Sequence, residues 1–230
     1  MKQFYVPLKY ALMPLIIAVI SGGLFLFQEH TLPVLEFSRS AIEQGEWWRL
    51  ITGNFMHSNH WHLLLNLGGL LLATLLVGHL FSWQHFLALF VSNGLMVGVL
   101  IYYFNPDISY YVGLSGYLHG LFIYGALLGI YRAVHLKQLL NHRSFKTDEN
   151  DDSQTQLVTK WRRRVKFDGE TYWMLLIGIV GKVAYEQFFG ASDEMSELIN
   201  ANVATDAHLY GAAVAMVQFV KLVLVRQITR

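Results

Sequence analysis

Cysteine is absent from the 230 residues, so the chain has no disulfide, no thiolate metal site and no cysteine nucleophile. Charge is scarce as well. Only 14% of residues are charged, and 17 basic residues nearly balance 16 acidic ones for a formal net charge of +1. That balance, with the cations grouped by loop, argues against a nucleic-acid partner. What is abundant is apolar side chain: 54% of residues are hydrophobic and the mean hydropathy is +0.37. A soluble domain of this length needs far less, so the composition predicts a polytopic membrane protein.

Crossing a hydrocarbon core takes about 20 apolar residues in a helix. Runs of that kind extend over Tyr10 to Phe27, His60 to Leu80, Trp83 to Phe104, Ser115 to Val134, Thr171 to Gly190 and Val203 to Val225. The expected fold is therefore an all-α bundle of six transmembrane helices forming a single domain over 1–230. The first run lacks a small-residue cleavage site and precedes further spans, so it reads as an uncleaved anchor. A cytoplasmic linker is expected over about 135–170, its stretch from Ser144 to Gln156 being polar and poor in apolar anchors.

Basic residues fix the expected orientation. Lys2 and Lys9, the cluster from Arg132 to Lys166, and Lys221, Arg226 and Arg230 fall on alternate connections, which the positive-inside rule assigns to the cytoplasm. The opposite loops carry only Arg39 and Arg49. Both termini are then cytoplasmic. Ser115, His208, His62 and Asn66 all come early in helices that leave the other face. Five residues into a helix is about 7 Å down, a depth that water can reach from outside.

Ionisable groups in lipid are costly and mark candidate functional sites. Ser115, between Gly113 and Gly116, is the candidate nucleophile, and His208 the base that takes its proton. His62 and Asn66, four apart, share a helix face and can offer N–H donors to an oxyanion, beside the backbone N–H of Ser115. Gly116 with Gly120, and Ala207 with Gly211 and Ala215, form small-residue ridges that let two helices approach closely. No third residue is evident to orient His208, and Asp206 lies on the wrong side of its helix, so the expectation is a Ser–His dyad.

The sequence resembles the rhomboid family of intramembrane serine proteases. The resemblance rests on Gly113-Leu114-Ser115-Gly116, Ala207-His208-Leu209-Tyr210-Gly211, His62 with Asn66, and Trp48-Arg49, in the family's order. Within the family the details look like the rhombosortase branch. His119 stands four residues after the serine, and Thr205-Asp206-Ala207-His208 and Gly45-Glu46-Trp47-Trp48-Arg49 follow that branch as well. The resemblance implies a serine endopeptidase in the bacterial inner membrane, its active site opening to the periplasm. The implied substrates are membrane-anchored proteins with a C-terminal Gly-Gly motif, one transmembrane helix and a basic tail, cut near the glycines. A helix unwound at glycines exposes a peptide bond that an intact helix buries.

Other readings remain open beside this one. His119, one turn from Ser115 on the same face, can pack against His208, contact substrate or act as an alternative base; positioning His208 is the role expected. Lys182 and Glu186, also four apart, read as an internal ion pair in preference to a substrate contact. His57, His60 and His62 lack an HExxH pattern and a carboxylate at ligand spacing, so no metal is expected and no cofactor is implied. Transfer of the acyl group from Ser115 to an amine would use the same residues as hydrolysis. Two further functions compete: a non-catalytic rhomboid-like protein that binds membrane helices, and a haem carrier using His62, His119 and His208 as axial ligands.

Overall fold

A computed structural model describes residues 8–141 and 152–228. In chain order the elements are α1 (Leu8–Leu26), α2 (Gln28–Leu35), β1 (Phe37–Ser38), α3 (Arg39–Glu43), α4 (Arg49–Thr52), α5 (His60–Val77), α6 (Trp83–Phe104), β2 (Tyr110–Tyr111), α7 (Ser115–Asn141), α8 (Asp152–Phe189), α9 (Asp193–Ile199) and α10 (Thr205–Ile228). Apart from one two-strand pairing the described residues are all-α, and the architecture is that of a membrane protein. Helix α5 with its 3-10 extension to Leu80, α6, α7 and α10 are each long and apolar enough to cross a bilayer. Six spans are reached when each bent pair counts as one: α1 with α2, bent by 110°, and α8 with α9, bent by 99°.

Helix α7 is the axis of the bundle. From Gly116 to Ala126 every residue is buried, because α7 packs against α10, α8, α5 and α6 in turn. A helix apolar all round is stable only when enclosed in this way. Around it, Leu64, Leu65, Leu71, Leu72, Leu87, Val91 and Val217 face outward, as lipid-facing side chains of a bundle do.

The expected linker over 135–170 is largely helical. Helix α7 runs to Asn141 and α8 begins at Asp152; residues 142–151 lie outside the described residues. Polarity does not prevent a helix that grows out of an anchored span. Exposed pairs at i,i+4, Arg164 with Asp168 at 3.9 Å and Lys166 with Glu170 at 3.8 Å, accompany it.

The segment between α2 and α5 packs on α6 and positions the approach to Ser115. Phe37, Ile42 and Leu50 bury against Val97, Ile101 and Tyr111. β1 pairs antiparallel with β2, Phe37 opposite Tyr111 and Ser38 opposite Tyr110. Arg39 donates to the carbonyls of Ile101, Tyr102, Asn105 and Ile108, satisfying the C-terminal end of α6. Arg49, buried, pairs with Glu46 at 2.6 Å and donates to the carbonyls of Glu36 and Pro33. The two arginines on this side of the bundle are therefore structural ties.

Candidate active site

Ser115 opens α7, where the first backbone N–H groups of a helix have no partner within it. The turn before it depends on Gly113, whose φ is +116°; a Cβ there would lie 2.6 Å from His62 Nε2 and 3.4 Å from Asn66 Nδ2. Only glycine lets this turn lie against those two side chains. Asn59 caps α5 by accepting from the His62 backbone N–H at 2.9 Å. Ser58 Oγ lies 3.0 Å from His62 Nδ1, which leaves Nε2 as the atom facing Gly113. Asn66 Nδ2 is buried without a hydrogen-bond partner. A buried donor left unpaired is costly in a folded protein, so Asn66 Nδ2 is available to a group that enters beside Gly113.

Helices α7 and α10 meet nearly backbone to backbone. A Cβ on Gly211 would come within 1.8 Å of the Gly116 carbonyl oxygen, and one on Gly116 within 2.9 Å of the Ala207 carbonyl. Asn93 on α6 donates to Gly211 O at 2.9 Å and ties the third helix in. This approach brings His208 onto His119, the two rings stacked at 4.0 Å and 20°. His119 Nδ1 in turn lies 2.7 Å from the Ser115 carbonyl oxygen.

Hydrogen positions here follow from the partners. A carbonyl only accepts, so His119 Nδ1 carries the proton and its Nε2, 3.1 Å from Lys182 Nζ, accepts from the ammonium. Both nitrogens of His119 are thus engaged, and it has no lone pair free to act as a base. Lys182 Nζ also donates to Glu186 Oε1 at 2.6 Å, and Glu186 Oε2 accepts from His208 Nδ1 at 2.8 Å. His208 therefore keeps its lone pair on Nε2. The pair expected between Lys182 and Glu186 forms, but it is the middle of a chain joining both histidines. Asp206 bonds Asn105 instead.

The Ser115 hydroxyl and His208 are not hydrogen bonded to each other. The serine side chain interacts with the Tyr111 phenol, which donates to the Gly113 carbonyl at 3.0 Å. Burial pushes the Tyr111 hydroxyl far above its usual range, so it stays protonated. Ser115 and His62 open on a cavity of about 580 Å³ walled by Tyr110 to Val112 and by residues 203–206, with Glu36 and Asp107 beside them. Burial raises the Glu36 carboxyl above the ordinary carboxylate range, the Arg49 guanidinium acting the other way. His57 is buried with its ring 5.1 Å from that of His62, and His60 is exposed.

His119, Glu186 and His208 place potential ligand atoms within 4.8 Å of one another. The Lys182 ammonium already lies between two of them. Stacked face to face, His119 and His208 are not opposed across a gap as axial ligands of a haem would be.

Residues 44–145 match the family model of the Rhomboid domain. The same chain is 32% identical over 81 residues to a protein named "Putative rhomboid protease YdcA" from Bacillus subtilis (strain 168), covering 35% of this chain and 41% of that one. Both matches are to rhomboid proteins; each takes in less than half of this chain, which spans well under half the length of the Bacillus relative. The Rhomboid match takes in Arg49, His62, Asn66 and the Gly113 to Gly116 turn, and ends before Lys182, Glu186 and His208.

Sequence reasoning missed Tyr111, whose contact with Ser115 depends on a strand pairing that no run of residues announces. It missed Glu186 as the neighbour of His208 too. The available signal was the helix direction: α8 runs opposite to α7 and α10, so its last turns reach the level of their first.

Proposed function

We propose that the protein is a rhomboid-type intramembrane serine endopeptidase, with Ser115 as nucleophile and His208 as base. The observation that carries this reading is the convergence on the Gly113 turn: His62 Nε2 and the unpaired Asn66 Nδ2 border the residue pair that leads into Ser115. Attack requires the serine side chain to turn from Tyr111 toward His208, whose Nε2 holds the free lone pair. Hydrogen bonds of this kind commonly tighten only with substrate in place.

In the proposed reaction Ser115 Oγ attacks the scissile carbonyl carbon while its proton passes to His208 Nε2. The negative oxygen of the tetrahedral intermediate is held by Asn66, His62 and the N–H groups at the start of α7. Collapse breaks the C–N bond, His208 returns the proton to the leaving amine, and water, deprotonated by His208, hydrolyses the acyl-serine. Each oxyanion donor is worth roughly 3 to 4 kcal/mol of barrier in such a site.

The substrate class we infer is a C-terminal Gly-Gly, transmembrane helix and basic tail, the rhombosortase type. What favours it is the resemblance around His119 and Thr205 to Gly211, together with the cavity of about 580 Å³ onto which Ser115 opens. From the positive-inside distribution of charge we infer a cavity facing the periplasm of a bacterial inner membrane with both termini cytoplasmic, and we read the chain as one domain. The test is co-expression with a reporter ending in that tripartite signal, comparing the natural chain with Ser115→Ala. Serine-dependent release of the reporter is expected; equal release by both would end the reading, and binding without release would favour a non-catalytic helix-binding protein.

A further inference from the structure

The geometry points to Glu186 as a positioning residue that completes a Ser115–His208–Glu186 relay, with Lys182 holding the carboxylate in register. The inference rests on the serine-protease reading above and departs from the two-residue arrangement that the sequence suggests.

Three features support it. First, the Glu186 side chain is only 11% exposed and its two oxygens are divided between two donors, Lys182 Nζ on Oε1 and His208 Nδ1 on Oε2. A carboxylate in lipid with no task would be expected to close on its lysine alone. Second, the bond to Nδ1 selects one tautomer of His208, the one whose Nε2 can take a proton from Ser115. When that proton arrives, the imidazolium stands against an anion already in place, which is the role a buried carboxylate has behind a catalytic histidine. Third, the resting site is balanced. Lys182 neutralises Glu186 until His208 is protonated, and His119, held neutral by Ser115 O and Lys182 Nζ, packs flat on His208 without competing for the proton.

Lys182 also determines what a substitution does. In Glu186→Gln the ammonium draws the amide oxygen to itself, so the amide NH2 turns to His208 Nδ1. That nitrogen must then accept, the ring proton moves to Nε2, and the base is blocked without loss of volume.

The test uses the full chain in lipid-containing detergent and an alkyl fluorophosphonate, which acylates an activated serine whatever the natural substrate. The maximal inactivation rate is measured apart from the half-saturating concentration. For Glu186→Gln the maximal rate is expected to fall by about 10²- to 10⁴-fold, as when a triad carboxylate becomes an amide, with half-saturation unchanged. The double variant Lys182→Met with Glu186→Leu removes the ion pair as a unit, so that neither charge is left alone. It is expected to melt like the natural protein and to lose a comparable factor in rate. A maximal rate within threefold of the natural protein in either folded variant overturns the inference while leaving Ser115 and His208 as they are. Failure of the natural protein to be labelled at Ser115 overturns instead the reading on which it rests.

Discussion

Gly211→Ala is the smallest change that separates the two halves of the site. The new methyl carbon would sit 1.8 Å from the Gly116 carbonyl oxygen, where ordinary contact begins at 3.4 Å. The obstacle is backbone on a helix that is enclosed on all sides, so rotamer changes cannot relieve it. Helices α7 and α10 must part by roughly 1.6 Å, a displacement of the size that costs a catalytic constellation about 10²-fold or more in rate. Overpacking of this kind also destabilises by about 1–3 kcal/mol. Turnover of the tripartite reporter and thermal unfolding in detergent, measured together, check both. Gly178→Ala is the control, since nothing lies within 4 Å of its added carbon, and alanine there is expected to be neutral or slightly stabilising. A Gly211→Ala protein with turnover and melting temperature like those of the control would refute the close packing of α7 on α10.

Two further outcomes are expected. Asn66→Ala should reduce turnover by about 10²- to 10³-fold through loss of an oxyanion donor, yet leave the melting temperature unchanged or raised, because Asn66 Nδ2 has no partner to lose; an equal fall in both would make Asn66 a packing residue. His57 lies outside the spans, and burial, with His62 close by, lowers its pKa to about 3 from an ordinary 6.5. The unfolded chain takes up a proton there between pH 6.5 and 3 while the folded one does not, so stability is lost as pH falls through that window. His57→Phe should flatten the dependence of melting temperature on pH over it, and an unchanged slope would assign the acid sensitivity elsewhere.

Much of this was legible in the sequence, for reasons that differ by element. Trp83–Phe104 coincides with α6 because Ser82 caps its start and the apolar run stops at Asn105. That His62 and Asn66 share a helix face follows from their spacing of four, whereas the approach of Gly113 to both is visible only in the packing. The polar extension of α8 escapes hydropathy, because a helix already anchored in lipid continues through charged residues at little cost. The spacing of Glu186 and Lys182 points to an ion pair or a substrate contact and gives no hint of His208. Spacing along one helix reveals pairs within that helix, and the bond to His208 belongs to the packing of α8 beside α10. Tyr111 was invisible for the same reason, its role arising from a strand contact with Phe37.

That strand contact gives Ser115 a foundation outside the bundle. Phe37 holds Tyr111, the Gly53 carbonyl receives the Gly113 amide at 3.0 Å, and Arg39 grips the end of α6 just upstream. The stiffness of the serine turn is therefore borrowed from chain that precedes α5. Amides around Gly113 should exchange with solvent no more slowly than that earlier segment undocks, so whatever Ser115 does depends on a region well upstream in the chain.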